Sequence, residues 1–102
     1  MLSKVIFYML DTTGTIIFIS ENSYDVFCFH AHKLIGQKFL VYVHPDDREG
    51  VARAFVNVMV GEPTGHIFRL IKRDGAPIMV KVNSVYKDSS MAGVMTILED
   101  EK

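Results

Sequence analysis

The alternation of apolar and polar residues predicts a β-hairpin at the start of the chain. Residues 5–10 and 15–20 are short runs rich in valine, isoleucine, phenylalanine and tyrosine, which favour strands. The Asp-Thr-Thr-Gly segment at residues 11–14 lies between them and has the composition of a tight turn.

The same kind of pattern predicts three further strands near the end of the chain. They cover residues 66–72, 77–86 and 91–98. The segments between them, residues 73–75 and 87–90, contain the Asp, Gly and Ser that are typical of turns. Because these connections are short, we expect the strands to be antiparallel.

A different period, typical of an amphipathic helix, occupies residues 46–60. Its apolar positions recur at helical spacing, namely Val51, Ala54, Phe55, Val58 and Met59. Asp46 and Glu49 have the spacing of a capping box at the start of this helix. Two shorter helices are expected before it, one capped by Asn22 or Ser23 and ending at Phe27, and one over residues 31–35. The helices therefore lie between the two groups of strands along the chain.

Length and charge narrow the class of protein. The chain has 102 residues, with 11 Lys and Arg against 12 Asp and Glu, so its formal net charge is -1. This length fits one domain, and the near-neutral charge excludes a basic nucleic-acid-binding surface as its main feature. No stretch approaches the ~20 apolar residues of a membrane-spanning helix. Since Cys28 is the only cysteine, the chain forms no internal disulfide, and we expect a cytoplasmic protein.

Four short motifs along the chain together resemble the PAS family of sensory domains. They are Asp-Thr-Thr-Gly-Thr-Ile at residues 11–16, Leu-Ile-Gly at 34–36, His-Pro-Asp-Asp-Arg at 44–48, and Phe-Arg-Leu with Lys-Arg-Asp-Gly at 68–70 and 72–75. Their order and spacing match the family over nearly the whole chain. The resemblance implies an α+β fold, in which a five-stranded antiparallel sheet carries short helices and one longer helix on one face. It also implies a single sensory domain over residues 1–102.

The chain departs from the family pattern at His32 and Lys33, where acidic residues are usual, and at two further places. Cys28 occupies a position where glycine is usual, so we expect the backbone there to differ from that of the family. The chain stops at residues 99–102, where family members begin the helix that leads to an output domain. Any enzymatic activity is therefore expected in an attached output domain, such as a histidine kinase, and not in this domain.

The resemblance places a functional cavity between the inner face of the sheet and the helices. Since Arg69 and Lys81 are charged, we expect the alternate residues of their strands to face inward, which are Phe68, Leu70, Val80, Val82 and Ser84. The same alternation, with the resemblance, turns inward Tyr8, Leu10, Val94, Thr96 and Leu98. The candidate pocket lining is Tyr8, Leu10, Phe55, Met59, Phe68, Leu70, Val80, Val82, Thr96 and Leu98. Two interpretations stay open: these residues form a simple apolar core, or they enclose a small apolar ligand with Tyr8 and Thr96 as its polar contacts.

The residue types at the pocket positions disfavour the best-known cofactors of the family. Phe39 stands where the flavin-binding photoreceptors have their reactive cysteine, and apolar residues stand where they have amides, at Leu70, Val80 and Leu98. The long helix over residues 46–60 contains no histidine, so the usual axial ligand for haem is missing. We therefore expect no flavin and no haem, and the possible ligand is an unidentified small apolar molecule.

A short segment of the chain carries residues that could bind a metal. In an extended backbone Cys28, His30 and His32 share one face, and a thiolate with two imidazoles suits zinc or copper. In a helix only Cys28 and His32 align, and no fourth ligand is evident. A Cys–His nucleophile also lacks an orienting third group. We therefore expect neither a metal site nor a catalytic site here.

Two functions from different classes follow from these patterns. The first is a regulatory module that senses a signal and transmits it to the output domain of a sensor histidine kinase or similar protein. The second is an interaction module that forms a homodimer through the outer sheet face. The apolar residues expected on that face are Ile67, Ile71, Met79, Val85, Met95 and Ile97. An enzyme is disfavoured because no Asp, Glu or Lys falls on the expected inner face.

Overall fold

A computed structural model describes residues 4–62 and 64–98 of the chain. The strands are β1 (Val5–Asp11), β2 (Ile16–Ile19), β3 (Thr64–Ile71), β4 (Pro77–Lys87) and β5 (Ser90–Leu98). The α-helices are α1 (Ser23–Phe27), α2 (Ala31–Leu34) and α3 (Arg48–Met59), and single 3-10 turns cover Phe39–Tyr42 and Pro45–Asp47. The predicted order of elements is therefore confirmed. The chain end at residues 99–102, where the connection to an output domain is expected, lies outside the described residues.

The five strands form one antiparallel sheet in the order β2-β1-β5-β4-β3. The hairpin at the start of the chain and the three strands at its end join where β1 pairs with β5. The longest helix, α3, packs on β3 and β4. The predicted fold class, a sheet with short helices and one longer helix on one face, is confirmed.

The start of the long helix differs from the predicted capping box. The backbone N–H of Asp46 donates to Nδ1 of His44 at 3.1 Å, so His44 caps the 3-10 turn that precedes α3. Asp47 stands at the N-cap of α3 but makes no side-chain capping hydrogen bond, because its carboxylate accepts hydrogen bonds from Arg69 instead. Asp46 and Glu49 are both exposed.

The side chains of β5 point the opposite way from the prediction. Residues directly opposite each other on paired strands share a face of the sheet. Met95 lies opposite Val82, and Ile97 lies opposite Val80. All four side chains are buried, so Met95 and Ile97 belong to the core and not to the outer face.

The prediction that Val94, Thr96 and Leu98 point inward is therefore wrong. Thr96 lies opposite Lys81, and Leu98 lies opposite Met79, both on the outer face. Apolar residues stand on both faces of β5, so alternation alone leaves the orientation of this strand undetermined. The pairing with β4 and β1 decides it.

Cys28 keeps the backbone geometry that favours glycine. Its φ of 65° and ψ of 22° lie in the left-handed region, and its N–H donates to the Tyr24 carbonyl at 2.9 Å to close α1. Cys28 therefore adopts a conformation that glycine adopts more easily than cysteine.

No helix within residues 4–62 and 64–98 has the length and apolar character needed to cross a membrane.

Candidate functional site

A cavity of about 40 Å³ lies between α3 and the inner face of the sheet. It is lined by Tyr8, Leu10, Phe39, Val51, Ala54, Phe55, Val58, His66, Phe68, Val82, Ser84 and Met91. A water molecule needs roughly 10–15 Å³ of such space, so this cavity admits a molecule of a few non-hydrogen atoms.

Half of the predicted pocket lining borders this cavity, namely Tyr8, Leu10, Phe55, Phe68 and Val82. Leu70 lines a second, smaller cavity, while Val80 is fully buried in the core and Met59 packs against it. Thr96 and Leu98 lie on the other face of the sheet and take no part in the lining.

The polar side chains that border the cavity differ from the predicted pair, Tyr8 and Thr96. Ser84, which strand alternation turns inward, borders the cavity, and so does His66, which the predicted lining does not include. His66 lies opposite Val82 and two residues before Phe68, so strand alternation alone could have placed it on the inner face. Thr96 is replaced as a polar contact by Ser84.

Tyr8 and Ser84 form a buried hydrogen-bonded pair at the cavity wall. The Tyr8 hydroxyl and Ser84 Oγ are 2.6 Å apart, and either oxygen can be the donor. Burial raises the pKa of the Tyr8 phenol, and the hydrogen bond to Ser84 lowers it by a smaller amount. The phenol therefore stays neutral and keeps its O–H group.

Gly93 makes room for this pair. It lies directly opposite Tyr8 on β1 and Ser84 on β4, so all three residues share the inner face. A Cβ atom at position 93 would overlap the Tyr8 ring and the Ser84 hydroxyl. The absence of a side chain at Gly93 is therefore what lets the phenol reach Ser84.

The ring of Phe39 divides the interior of the domain. It stacks on Tyr8 at a centroid distance of 6.0 Å and meets Phe68 edge-on at 6.0 Å. Phe39 also borders the second cavity, of about 20 Å³, whose other lining residues are Ile16, Ile19, Phe27, Phe29, Leu34, Tyr42, Leu70, Ile71 and Met95. One aromatic side chain thus separates two small spaces.

His66 lies at the seam between α3 and β3. It borders the larger cavity and also an outer groove that includes Arg53, Asn57 and Glu62. Its Nε2 atom is 3.9 Å from the point where a Cβ atom on Gly50 would lie. The half-buried imidazole therefore stands between the cavity and the polar surface of the domain.

An ion pair anchors the start of α3 to β3. The Asp47 carboxylate accepts from the Arg69 backbone N–H at 2.8 Å and from Nε and Nη2 of its guanidinium at 3.0 and 2.9 Å. These hydrogen bonds lower the pKa of Asp47 to about 2 and raise that of Arg69. The start of α3 is thereby held against β3 by charge-assisted bonds.

The outer face of the sheet exposes apolar side chains. Phe7 and Val85 are 55% and 66% exposed, and a shallow depression is lined by Phe7, Tyr8, Met9, Phe18, Asn83, Val85, Ala92, Gly93 and Val94. Of the six residues predicted for this face, Ile67, Met79 and Val85 are exposed there. Met95 and Ile97 are buried on the inner face, and Ile71 is half-buried beside the smaller cavity.

The residues considered for metal binding make other contacts. The His30 ring stacks on Tyr24 at 4.1 Å and on His32 at 5.6 Å, and its Nδ1 atom is 3.1 Å from a Glu21 carboxylate oxygen. Cys28 is exposed. Among the residues that the structure describes, no group of three or more His, Cys, Asp or Glu side chains is placed to hold a metal ion.

A family model described as the PAS fold matches residues 16–94. A comparison with curated proteins found no significant match.

Solved structures share the fold at low sequence identity. A variant of the Cycle PAS-B domain of Drosophila melanogaster with bound glycerol superposes with a TM-score of 0.83 at 18% identity, covering 91% of this chain and 99% of that one. The PAS domain of the Cronobacter turicensis quorum-sensing receptor RpfR, in complex with BDSF, gives 0.82 at 14% identity, with coverage of 97% and 98%. A domain of a sensory box sensor histidine kinase/response regulator from Geobacter sulfurreducens gives 0.78 at 14% identity, with coverage of 89% and 81%.

Proposed function

Because this chain belongs to the PAS family, we propose that it is the sensory module of a longer signalling protein and responds to a small molecule bound beneath α3. A PAS domain is a sensory module and is not itself catalytic. The signal would therefore act on an attached output domain. We assign that output to a cytoplasmic histidine kinase or a similar protein, since one structural neighbour is part of a sensor histidine kinase.

The observation that carries this proposal is the cavity with its buried hydroxyl pair. A cavity forgoes packing contacts, and a buried hydroxyl loses its hydration, so both features lower stability unless something fills the space. If the interior of the domain served only as an apolar core, the domain would be more stable with that interior filled and free of polar groups. The combination of Tyr8, Ser84 and an adjacent space is typical of a ligand site.

The position of α3 suggests how binding reaches the rest of the protein. Val51, Ala54, Phe55 and Val58 from α3 line the cavity, and the opposite wall comes from the sheet. A ligand that fits better when α3 stands at one particular distance from the sheet shifts the population toward that arrangement. The free-energy change of this population shift cannot exceed the difference in the ligand's binding free energy between the two arrangements.

Thermal unfolding in the presence of small molecules tests this function. We expect at least one member of a broad metabolite panel to raise the melting temperature of the wild-type domain. The Ala54→Leu variant, which fills the cavity from α3, should lose that response. The matched variant Val56→Leu, at an exposed position of the same helix, should keep it. No shift with any compound would count against sensing through this cavity.

A second candidate function is homodimerisation through the outer sheet face. Among the residues that the structure describes, the depression there has Asn83 as its polar side chain and is lined by no charged one. A two-fold interface places the same patch on both subunits, so an uncharged patch meets its copy without like-charge repulsion. Exposed aromatic side chains such as Phe7 and Phe18 are enriched in interfaces.

Sedimentation equilibrium tests the dimer. We expect self-association at high concentration for the wild type and for Val60→Glu, which adds a charge at the end of α3. The Phe7→Glu variant should be monomeric because it would bury a carboxylate in the interface. A wild-type domain that stays monomeric throughout the concentration range overturns this function.

A further inference from the structure

The hydroxyl pair has unused hydrogen-bonding capacity. Two hydroxyl groups carry two O–H donors, and the bond between Tyr8 and Ser84 uses one of them. Within residues 4–62 and 64–98, neither hydroxyl makes a further hydrogen bond. Both side chains are buried, and both border the larger cavity. The remaining O–H donor therefore borders the cavity without a protein acceptor among the described residues.

The rest of the lining determines what charge this occupant has. Apart from Tyr8, the titratable side chain on the cavity wall is His66, at the seam with the outer groove. No carboxylate, ammonium or guanidinium group among the described residues lines the cavity. A charged molecule would lose its hydration in the cavity, and no side chain of opposite charge lines the interior to pair with it. The site therefore favours an uncharged molecule.

The shape limits the size of the occupant. The space of about 40 Å³ ends at the Phe39 ring, which packs on Tyr8 and Phe68. A long acyl chain or a ring system would have to displace that ring. The wild-type site therefore fits a compact molecule with an apolar body and one polar end.

These constraints identify the class of ligand. We propose that the cavity beneath α3 binds a small uncharged molecule of a few non-hydrogen atoms, whose carbonyl or hydroxyl oxygen accepts a hydrogen bond from the Tyr8–Ser84 pair. The molecule enters at the seam between α3 and β3, where His66 faces Gly50. This inference rests on the proposed sensory function and specifies the ligand of the same site.

Three probes of matched size separate the chemical classes. Acetone, acetate and isobutene each have four non-hydrogen atoms, but acetone has a neutral acceptor, acetate a charge and isobutene no polar atom. In amide-resolved NMR titrations of the domain, we expect acetone to give saturable shifts at residues around Tyr8, Ser84 and His66. Affinity should be in the millimolar range, as for other ligands of this size. Acetate should give no saturable shift, and isobutene should bind more weakly than acetone.

Removing both hydroxyls tests which groups make the contact. The double variant Tyr8→Phe/Ser84→Ala keeps the ring and leaves no unpaired partner, so its fold should be retained. We expect acetone to bind about tenfold more weakly to it, the loss typical of one hydrogen bond, while isobutene binding is unchanged. The Ser84→Ala variant provides a second, milder test of the same contact. Thr96→Val removes a hydroxyl from the outer face and should bind acetone like the wild type.

The outcomes separate this inference from the proposed function. Saturable acetate binding, or acetone binding that neither hydroxyl variant weakens, overturns the ligand class and leaves sensing through the cavity intact. If acetone fails to bind while a larger compound from the panel raises the melting temperature, the ligand class is again wrong. If no compound of any kind binds, both proposals fall.

Discussion

The Tyr8 ring occupies the space that a side chain at position 93 would fill. Tyr8 and Gly93 lie directly opposite each other on β1 and β5, with their positions facing the interior. The phenol extends across β5 to Ser84 on β4, and only a residue without Cβ permits this. The polar end of the cavity thus depends on a glycine in the middle of a strand, where glycine is otherwise unfavourable.

Replacing this glycine should disturb the site and the core together. We expect Gly93→Ala to displace the Tyr8 ring and to lower the free energy of unfolding by about 1–3 kcal/mol, as for other overpacked cores. Urea denaturation measures this loss. The neighbouring Ala92→Val change lies on the exposed outer face and should alter stability by less than about 0.5 kcal/mol. Equal stability of Gly93→Ala and the wild type would show that the ring is not held where we place it.

The bond between Asp47 and Arg69 should make stability depend on acid pH. The pKa of Asp47 is lowered to about 2 in the folded protein, below that of the unfolded chain. The ionised carboxylate therefore stabilises the fold fully above about pH 4, and this contribution is lost as the pH falls toward 2. We expect Asp47→Asn to be less stable than the wild type at pH 7 and the difference to shrink between pH 4 and pH 2.

Denaturation curves at several pH values measure this difference. The matched variant is Asp46→Asn, whose exposed carboxylate contacts His44 only at 4.0 Å. Its difference from the wild type should be smaller at pH 7 and should change less between pH 4 and pH 2. A constant gap between Asp47→Asn and the wild type across this range would contradict the assignment.

Cys28 offers a stabilising substitution. A residue with a Cβ atom in the left-handed region is strained by roughly 1–2 kcal/mol, and glycine is not. Glycine also makes the unfolded chain more flexible, which offsets part of the gain. We expect Cys28→Gly to raise the free energy of unfolding by up to about 1 kcal/mol. Cys28→Ser keeps the Cβ atom and should give no such gain, so equal stability of the two variants would argue against strain at Cys28.

The Phe39 ring should control the size of the ligand. Truncation by Phe39→Ala removes the wall between the two cavities and should cost about 3–5 kcal/mol of stability. The enlarged apolar space should then bind benzene, so benzene should raise the melting temperature of this variant more than that of the wild type. Phe18→Ala removes an exposed ring from the outer face and should show no benzene response. A similar benzene response in Phe39→Ala and the wild type would mean that Phe39 does not separate the spaces.

Much of the candidate site could be predicted from local patterns. The inward positions of Phe68 and Val82 follow from strands whose other face carries charged residues, and the helical period identifies Phe55. The inward position of Tyr8 follows only with the family resemblance, because its strand is apolar on both faces. His66 could have been found by the same alternation. The role of Gly93 could not, because it depends on residues of β1 and β4 that are far away in the sequence.

The amino-acid sequence by itself determined the elements and the family. Side-chain periodicity sets which segments become strands or helices, and that information is local to each segment. Only the tertiary structure decided the orientation of β5, because apolar residues on both of its faces make the two orientations locally equivalent. Pairing of Met95 with Val82 and of Ile97 with Val80 removes this ambiguity. It moves Thr96 out of the site and places Ser84, opposite Gly93, beside the Tyr8 hydroxyl.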